Sequence, residues 1–127
     1  MIARTLSGLI GLTMLYTFTG WVIDPLTAAK GLDMDLLEGL GRSSQVGDFS
    51  AFFFTAGIMA SLGALRNEHV WLYGPILLIG SAALFRFNAY ISHGASFHSI
   101  IYAELVMTAL LIICVLLMKR ELNKVES

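Results

Sequence analysis

Residues 98–118 read HSIIYAELVMTALLIICVLLM, and this run decides the fold. It carries a single acid, Glu104, and no Lys or Arg. A bilayer core of about 30 Å is crossed by roughly 20 predominantly apolar residues rising 1.5 Å each, so the run is long enough to span a membrane as a helix. Working outward from it, three further windows of this kind appear, at about 2–23, 49–65 and 70–90. The four spans take up most of the 127 residues and leave no room for a separate soluble domain. The expectation is one all-α domain over 1–127, a transmembrane four-helix bundle of up-down topology.

Composition excludes the alternatives. The chain is 57% hydrophobic and 13% charged, against roughly 45–50% and about 25% in a soluble domain. Eight Lys and Arg against nine Asp and Glu leave no basic footprint for phosphate, so no nucleic-acid partner is expected. One cysteine, Cys114, rules out an intramolecular disulfide, and its apolar surroundings keep it inert. The first span exceeds the 7–15-residue apolar core of a signal peptide, and Thr27-Ala28-Ala29 is only a weak cleavage candidate, so the span is expected to be retained.

Positive charge is held on the cytoplasmic side during insertion. Arg4, Arg66, Lys119, Arg120 and Lys124 fall on one side, whereas Lys30 and Arg42 lie among Asp24, Asp33, Asp35, Glu38 and Asp48 on the other. Both termini are therefore expected in the cytoplasm, with the acidic first loop outside the inner (plasma) membrane of a bacterium. Within that loop, 33–41 reads as a short interfacial helix with Asp33 as N-cap, Gly41 as stop and Leu36, Leu37 and Leu40 on one face. Packing between spans falls to small residues, since lipid gives helices no hydrophobic drive to associate. Ala56, Ala60 and Ala64 recur along span two beside Gly57 and Ser61, while span one offers Gly8, Gly11, Thr13 and Thr17 and span three offers Gly74, Gly80, Ser81 and Ala82. Trp21 and Trp71, near span ends, read as anchors in the aromatic belts. The six methionines lack a repeated spacing and read as core filling.

Ionisable residues inside a membrane are costly and mark candidate sites. Arg86 lies in the outer half of span three and Glu104 in the outer half of span four. Residue 95, the centre of the loop between them, is equidistant from both. In an antiparallel hairpin the two therefore share a depth and can pair. Asp24, Asp48, Asn88, His93 and His98 fall at similar or shallower depth, so each helix contributes to a polar pocket near the outer face. A plainer reading stands beside this one: Arg86 and Glu104 set helix registry, and Asp48 is the N-cap of span two with Ser50 assisting.

Other chemistries find little support. The histidines are split between the two sides, which disfavours haem ligation, and no metal-ligand motif, nucleotide loop or nucleophile motif is present. No cofactor is specified. The stretches Gly47-Asp48-Phe49-Ser50-Ala51-Phe52-Phe53, Ala83-Leu84-Phe85-Arg86, His93-Gly94-Ala95 and Ala103-Glu104-Leu105-Val106 resemble a group of small bacterial four-helix membrane proteins distantly similar to the DoxX-like proteins. The resemblance implies a four-helix inner-membrane protein, draws attention to Asp48, Arg86 and Glu104, and supplies no activity. Ser50 stands where members of that group often carry a basic residue. The leading functional expectation is a non-enzymatic protein that binds membrane lipid or another small amphiphile, such as a quinone, or steadies a partner membrane subunit or a second copy. The rivals are an enzyme acting on a lipid or isoprenoid, with Glu104 as acid and base and Arg86 orienting an anionic group, and a small transporter exchanging protons at Glu104.

Overall fold

A computed structural model describes all residues, 1–127. Its elements are α1 (Ile2–Ile23), α2 (Pro25–Gly31), α3 (Gly39–Arg66), a single 3₁₀ turn (His69–Leu72), α4 (Tyr73–Ser92) and α5 (Ile100–Glu126), with no strand. Four of these helices are long and apolar enough to cross a membrane.

The termini of the helices show the up-down arrangement. Arg4 Nε donates to the Ala64 carbonyl at 2.8 Å, and the amino terminus lies 3.6 Å from Glu121. The start of α1 and the ends of α3 and α5 thus share one end of the bundle. At the opposite end His98 meets the Leu32 carbonyl at 2.8 Å.

The α1–α3 pair is the most extensive contact in the bundle, and small residues account for it. Ala56 and Ala60 are fully buried. Gly57 lies against Leu15, and Gly11 lies against Ser61 and the Gly57 carbonyl. In α4, Gly74 abuts Met59 and Gly80 abuts Thr108. Met14 and Met118 are buried within the core, as expected of gap-filling methionines.

Three sequence expectations require correction. The segment between the first two spans does hold a short helix, but at Pro25–Gly31 rather than 33–41. Asp24 caps it, accepting from Thr27 N at 3.2 Å and Thr27 Oγ1 at 2.7 Å, while Pro25 sits at the helix start, where its missing N–H is least costly. Asp33 adopts a left-handed backbone (φ 53) instead of a cap, and residues 34–38 are not helical. Buried Gln45 holds that irregular segment: its Oε1 accepts from Leu37 N at 2.8 Å and its Nε2 donates to the Asp35 carbonyl at 3.0 Å.

Second, α3 begins ten residues before the expected start of span two, so Asp48 lies inside the helix and caps nothing. The polar run 42–45 reads as loop, yet it is helical, with Arg42, Ser43 and Ser44 exposed and Gln45 turned inward: Gly39 (φ +57) turns the chain into the helix and Arg42 Nε clasps the Leu37 carbonyl at 2.7 Å. Third, Trp21 is no belt anchor. It is completely buried and stacks on Phe49, ring centroids 4.7 Å apart and planes within 7°. Trp71 remains partly exposed, donating to Glu68 at 2.8 Å beneath the Arg66 guanidinium.

The hydrogen bonds from Thr27 hold the Asp24 carboxyl below the ordinary carboxylate range. A carboxyl depressed on folding stabilises the folded state above its unfolded pKa, and the contribution is lost as pH falls through the lower folded value. Amide protection factors across Pro25–Gly31, with the intrinsic pH dependence of exchange divided out, are therefore expected to fall on acidification below the usual Asp range while those in α1 and α3 hold. Protection in that helix indifferent to such acidification, or unchanged in Asp24→Ala, would show that the cap contributes nothing.

Candidate functional site

Arg86 and Glu104 meet as the hairpin arithmetic requires. Arg86 Nε donates to Glu104 Oε1 at 3.0 Å, linking α4 to α5. The two side chains are unequally covered, 26% exposed for Arg86 and 7% for Glu104. The pairing is one-pronged. Glu104 Oε2 is enclosed and has no hydrogen-bond partner, and the terminal guanidinium nitrogens make no protein hydrogen bond. A buried polar atom left unmatched typically costs about 1–3 kcal/mol, so this oxygen marks a place where a further donor is absent from the chain itself.

The pair lines a cavity of about 560 Å³ between α1, α3, α4 and α5, at the end of the bundle where Leu32 and Ile100 lie. Twelve of its 16 lining residues are hydrophobic. The other four are Thr17, Asp48, Arg86 and Glu104, so the expected polar pocket is instead an apolar chamber with a few charged groups on its wall. That is the usual construction of small-molecule sites, in which apolar surface supplies contact and a few polar groups orient the ligand.

Of the residues expected to converge, the structure brings Asp48, Arg86 and Glu104 to one cavity. The rest lie outside it. Asp24 is committed to capping α2. Asn88 Oδ1 accepts from Ser92 Oγ at 3.4 Å, one turn further along α4. His93 terminates α4, exposed and followed by Gly94 at φ +65. His98 is structural but close by: Nδ1 accepts from Ile100 N at 3.2 Å while Nε2 points to the Leu32 carbonyl. That combination requires the neutral ring with its proton on Nε2. Leu32 and Ile100 both line the cavity, so His98 ties together two pieces of its outer rim. His93, His98 and Glu104 do not gather into a metal-ligand group.

Sequence reading missed the apolar wall. Phe49, Phe52, Phe53 and Phe85 line the chamber, with Met14, Ile79 and Met107 deeper along it. Phe52 and Phe53 meet edge to face at 5.1 Å, and Phe53 stacks on Phe49 at 6.5 Å. The signal was the run of phenylalanines directly after Asp48, a charge joined to an aromatic face.

No family model, curated protein or solved structure matches the chain. The class rests on fold and composition: a small multi-pass membrane protein built as a four-helix bundle.

Proposed function

We propose that this protein resides in a bacterial inner membrane with both termini in the cytoplasm, and that its outer-end chamber binds a lipid-like or other small amphiphile. The observation that carries this reading is the enclosed, unpartnered Oε2 of Glu104 on the wall of a largely apolar cavity. A registry pair alone needs no chamber beside it. An amphiphile satisfies both halves of the site, with apolar groups against the phenylalanines and a polar head reaching the carboxylate and the unspent guanidinium N–H groups. The orientation is supported by the concentration of basic residues at the end of the bundle where α1 begins and α3 and α5 end. The resemblance to DoxX-like proteins belongs to the same reading, since three of its four motifs contain Asp48, Arg86 and Glu104.

Native mass spectrometry of the protein extracted with its own lipids tests the proposal. The wild type is expected to retain a discrete small-molecule mass, and Glu104→Gln to lose most of it while keeping its helical circular dichroism. A chain that carries no such mass in either form, or the same mass in both, would remove Glu104 from any binding role.

A further inference from the structure

The charge balance of the chamber and its approach specifies more than an amphiphile. Arg86 is matched by Glu104. Asp48 lines the same cavity, is exposed and forms no ion pair, so the chamber carries one surplus negative charge. Asp48 and Phe49 also line a second, shallower groove outside the chamber, together with Asp35, which likewise forms no ion pair. The approach and the chamber thus present three carboxylates and one guanidinium. The other basic side chains at this end, Lys30 and Arg42, line neither, and Arg42 Nε is spent on the Leu37 carbonyl.

From this arrangement we infer that the ligand is a lipophilic cation, an organic ammonium whose head stands at Asp48 and whose apolar body lies in the chamber. The inference rests on the amphiphile reading above and narrows it to one charge class. Two features favour a cation over an anion. An anionic head would meet the surplus carboxylate in a site walled by low-dielectric side chains, where repulsion is screened less than in water. The wall beside Asp48 is aromatic, lined by Phe49, Phe52 and Phe53, and phenyl rings attract alkylammonium groups. The enclosed, unpartnered Glu104 Oε2, on a side chain only 7% exposed, marks the chamber as a ligand site, while the choice of charge rests on Asp48 and the aromatic wall. A volume of about 560 Å³ falls within the roughly 300–1,000 Å³ that enclose a drug-sized molecule.

Three radiolabelled probes with the same tail and permanently fixed charge test the inference: dodecyltrimethylammonium, dodecanesulfonate and uncharged dodecanol. Each is bound at equilibrium to the full chain in phosphatidylcholine nanodiscs, with empty discs subtracted. The ammonium is expected to bind saturably and about tenfold more tightly than the sulfonate, between the solvated and half-buried limits for one added ion pair. Asp48→Asn, an exposed position where an isosteric amide leaves the fold intact, is expected to cut the ammonium preference several-fold, leaving the part the aromatic wall supplies, and to leave dodecanol unchanged. Sulfonate binding equal to or tighter than ammonium binding overturns the cation assignment while leaving the amphiphile chamber standing. An ammonium preference undiminished by Asp48→Asn overturns the role of Asp48. Absence of saturable binding by all three probes overturns both the assignment and the proposed function beneath it.

Discussion

Arg86→Met is expected to lower the unfolding free energy by about 3 kcal/mol, near the lower end of the range for removing one partner of a buried ion pair. The size follows from what is left behind. Glu104 is only 7% exposed, Arg86 supplies its single side-chain hydrogen bond, and its other oxygen is already without a partner. Arg86 itself is 26% exposed, so part of the guanidinium is solvated and the upper end of the range is not reached. Adding Glu104→Leu to Arg86→Met removes the stranded charge, and stability is expected to return to within about 1 kcal/mol of wild type, because replacing a whole buried pair by apolar residues is commonly neutral. Unfolding titrations in mixed micelles measure both. A single variant as stable as wild type would mean that the pair contributes nothing to the fold. A stable double variant that has lost its bound small molecule would separate binding from registry.

This pair was legible because one number governs it. Residues equidistant from the centre of a tight antiparallel hairpin come to the same depth, and helical spacing then decides whether they face each other. Leu72, Pro75, Ile79 and Ala83 are the buried positions leading along α4, and Arg86 continues the same three-and-four spacing. Ile101, Glu104, Leu111 and Met118 form the corresponding stripe of α5. Asn88, two residues from Arg86, is rotated by about 200° and leaves the stripe, so similar depth alone did not place it in the site.

The same spacing argument exposes what was misread. Ala3, Ser7, Ile10, Met14 and Trp21 repeat at threes, fours and sevens along α1, which puts Trp21 on the buried face although its position near a helix end suggested a lipid interface. Local chemistry decided the first loop. Asp33 and Gly41 mimic a cap and a stop, but Asp24, Pro25 and Thr27 make the stronger helix start and consume Asp24 in doing so. The chamber itself could not be read from one chain of letters. It is the space left between four helices, and its volume depends on how closely the glycines allow them to approach.

Gly11 is the position where that approach is tightest, and Gly11→Ala is expected to destabilise the bundle by about 1–3 kcal/mol, the usual penalty for forcing extra carbon into a packed interface. A β-carbon there would collide with Ser61 Oγ, lie 2.8 Å from the Ser61 backbone nitrogen and 3.0 Å from the Gly57 carbonyl oxygen. The hydroxyl can rotate away, but the backbone atoms of α3 cannot, so α1 must move out. Gly57 is pressed from the other side, with Leu15 N at 3.0 Å from its would-be β-carbon, which leaves no compensating shift along the same contact. Because Met14 and Thr17 of α1 and Phe49, Phe52 and Phe53 of α3 form adjoining walls of the chamber, separating the helices opens the seam between them and is expected to weaken amphiphile binding as well as stability. Gly47→Ala supplies the comparison. It lies within α3 with nothing near its would-be β-carbon, and should be neutral or stabilising by up to about 1 kcal/mol, as alanine is the better helix former. If the two alanine variants unfold at the same denaturant concentration, close α1–α3 approach is not what holds the bundle together; if only Gly11→Ala weakens both unfolding and binding, the interface sets the dimensions of the site.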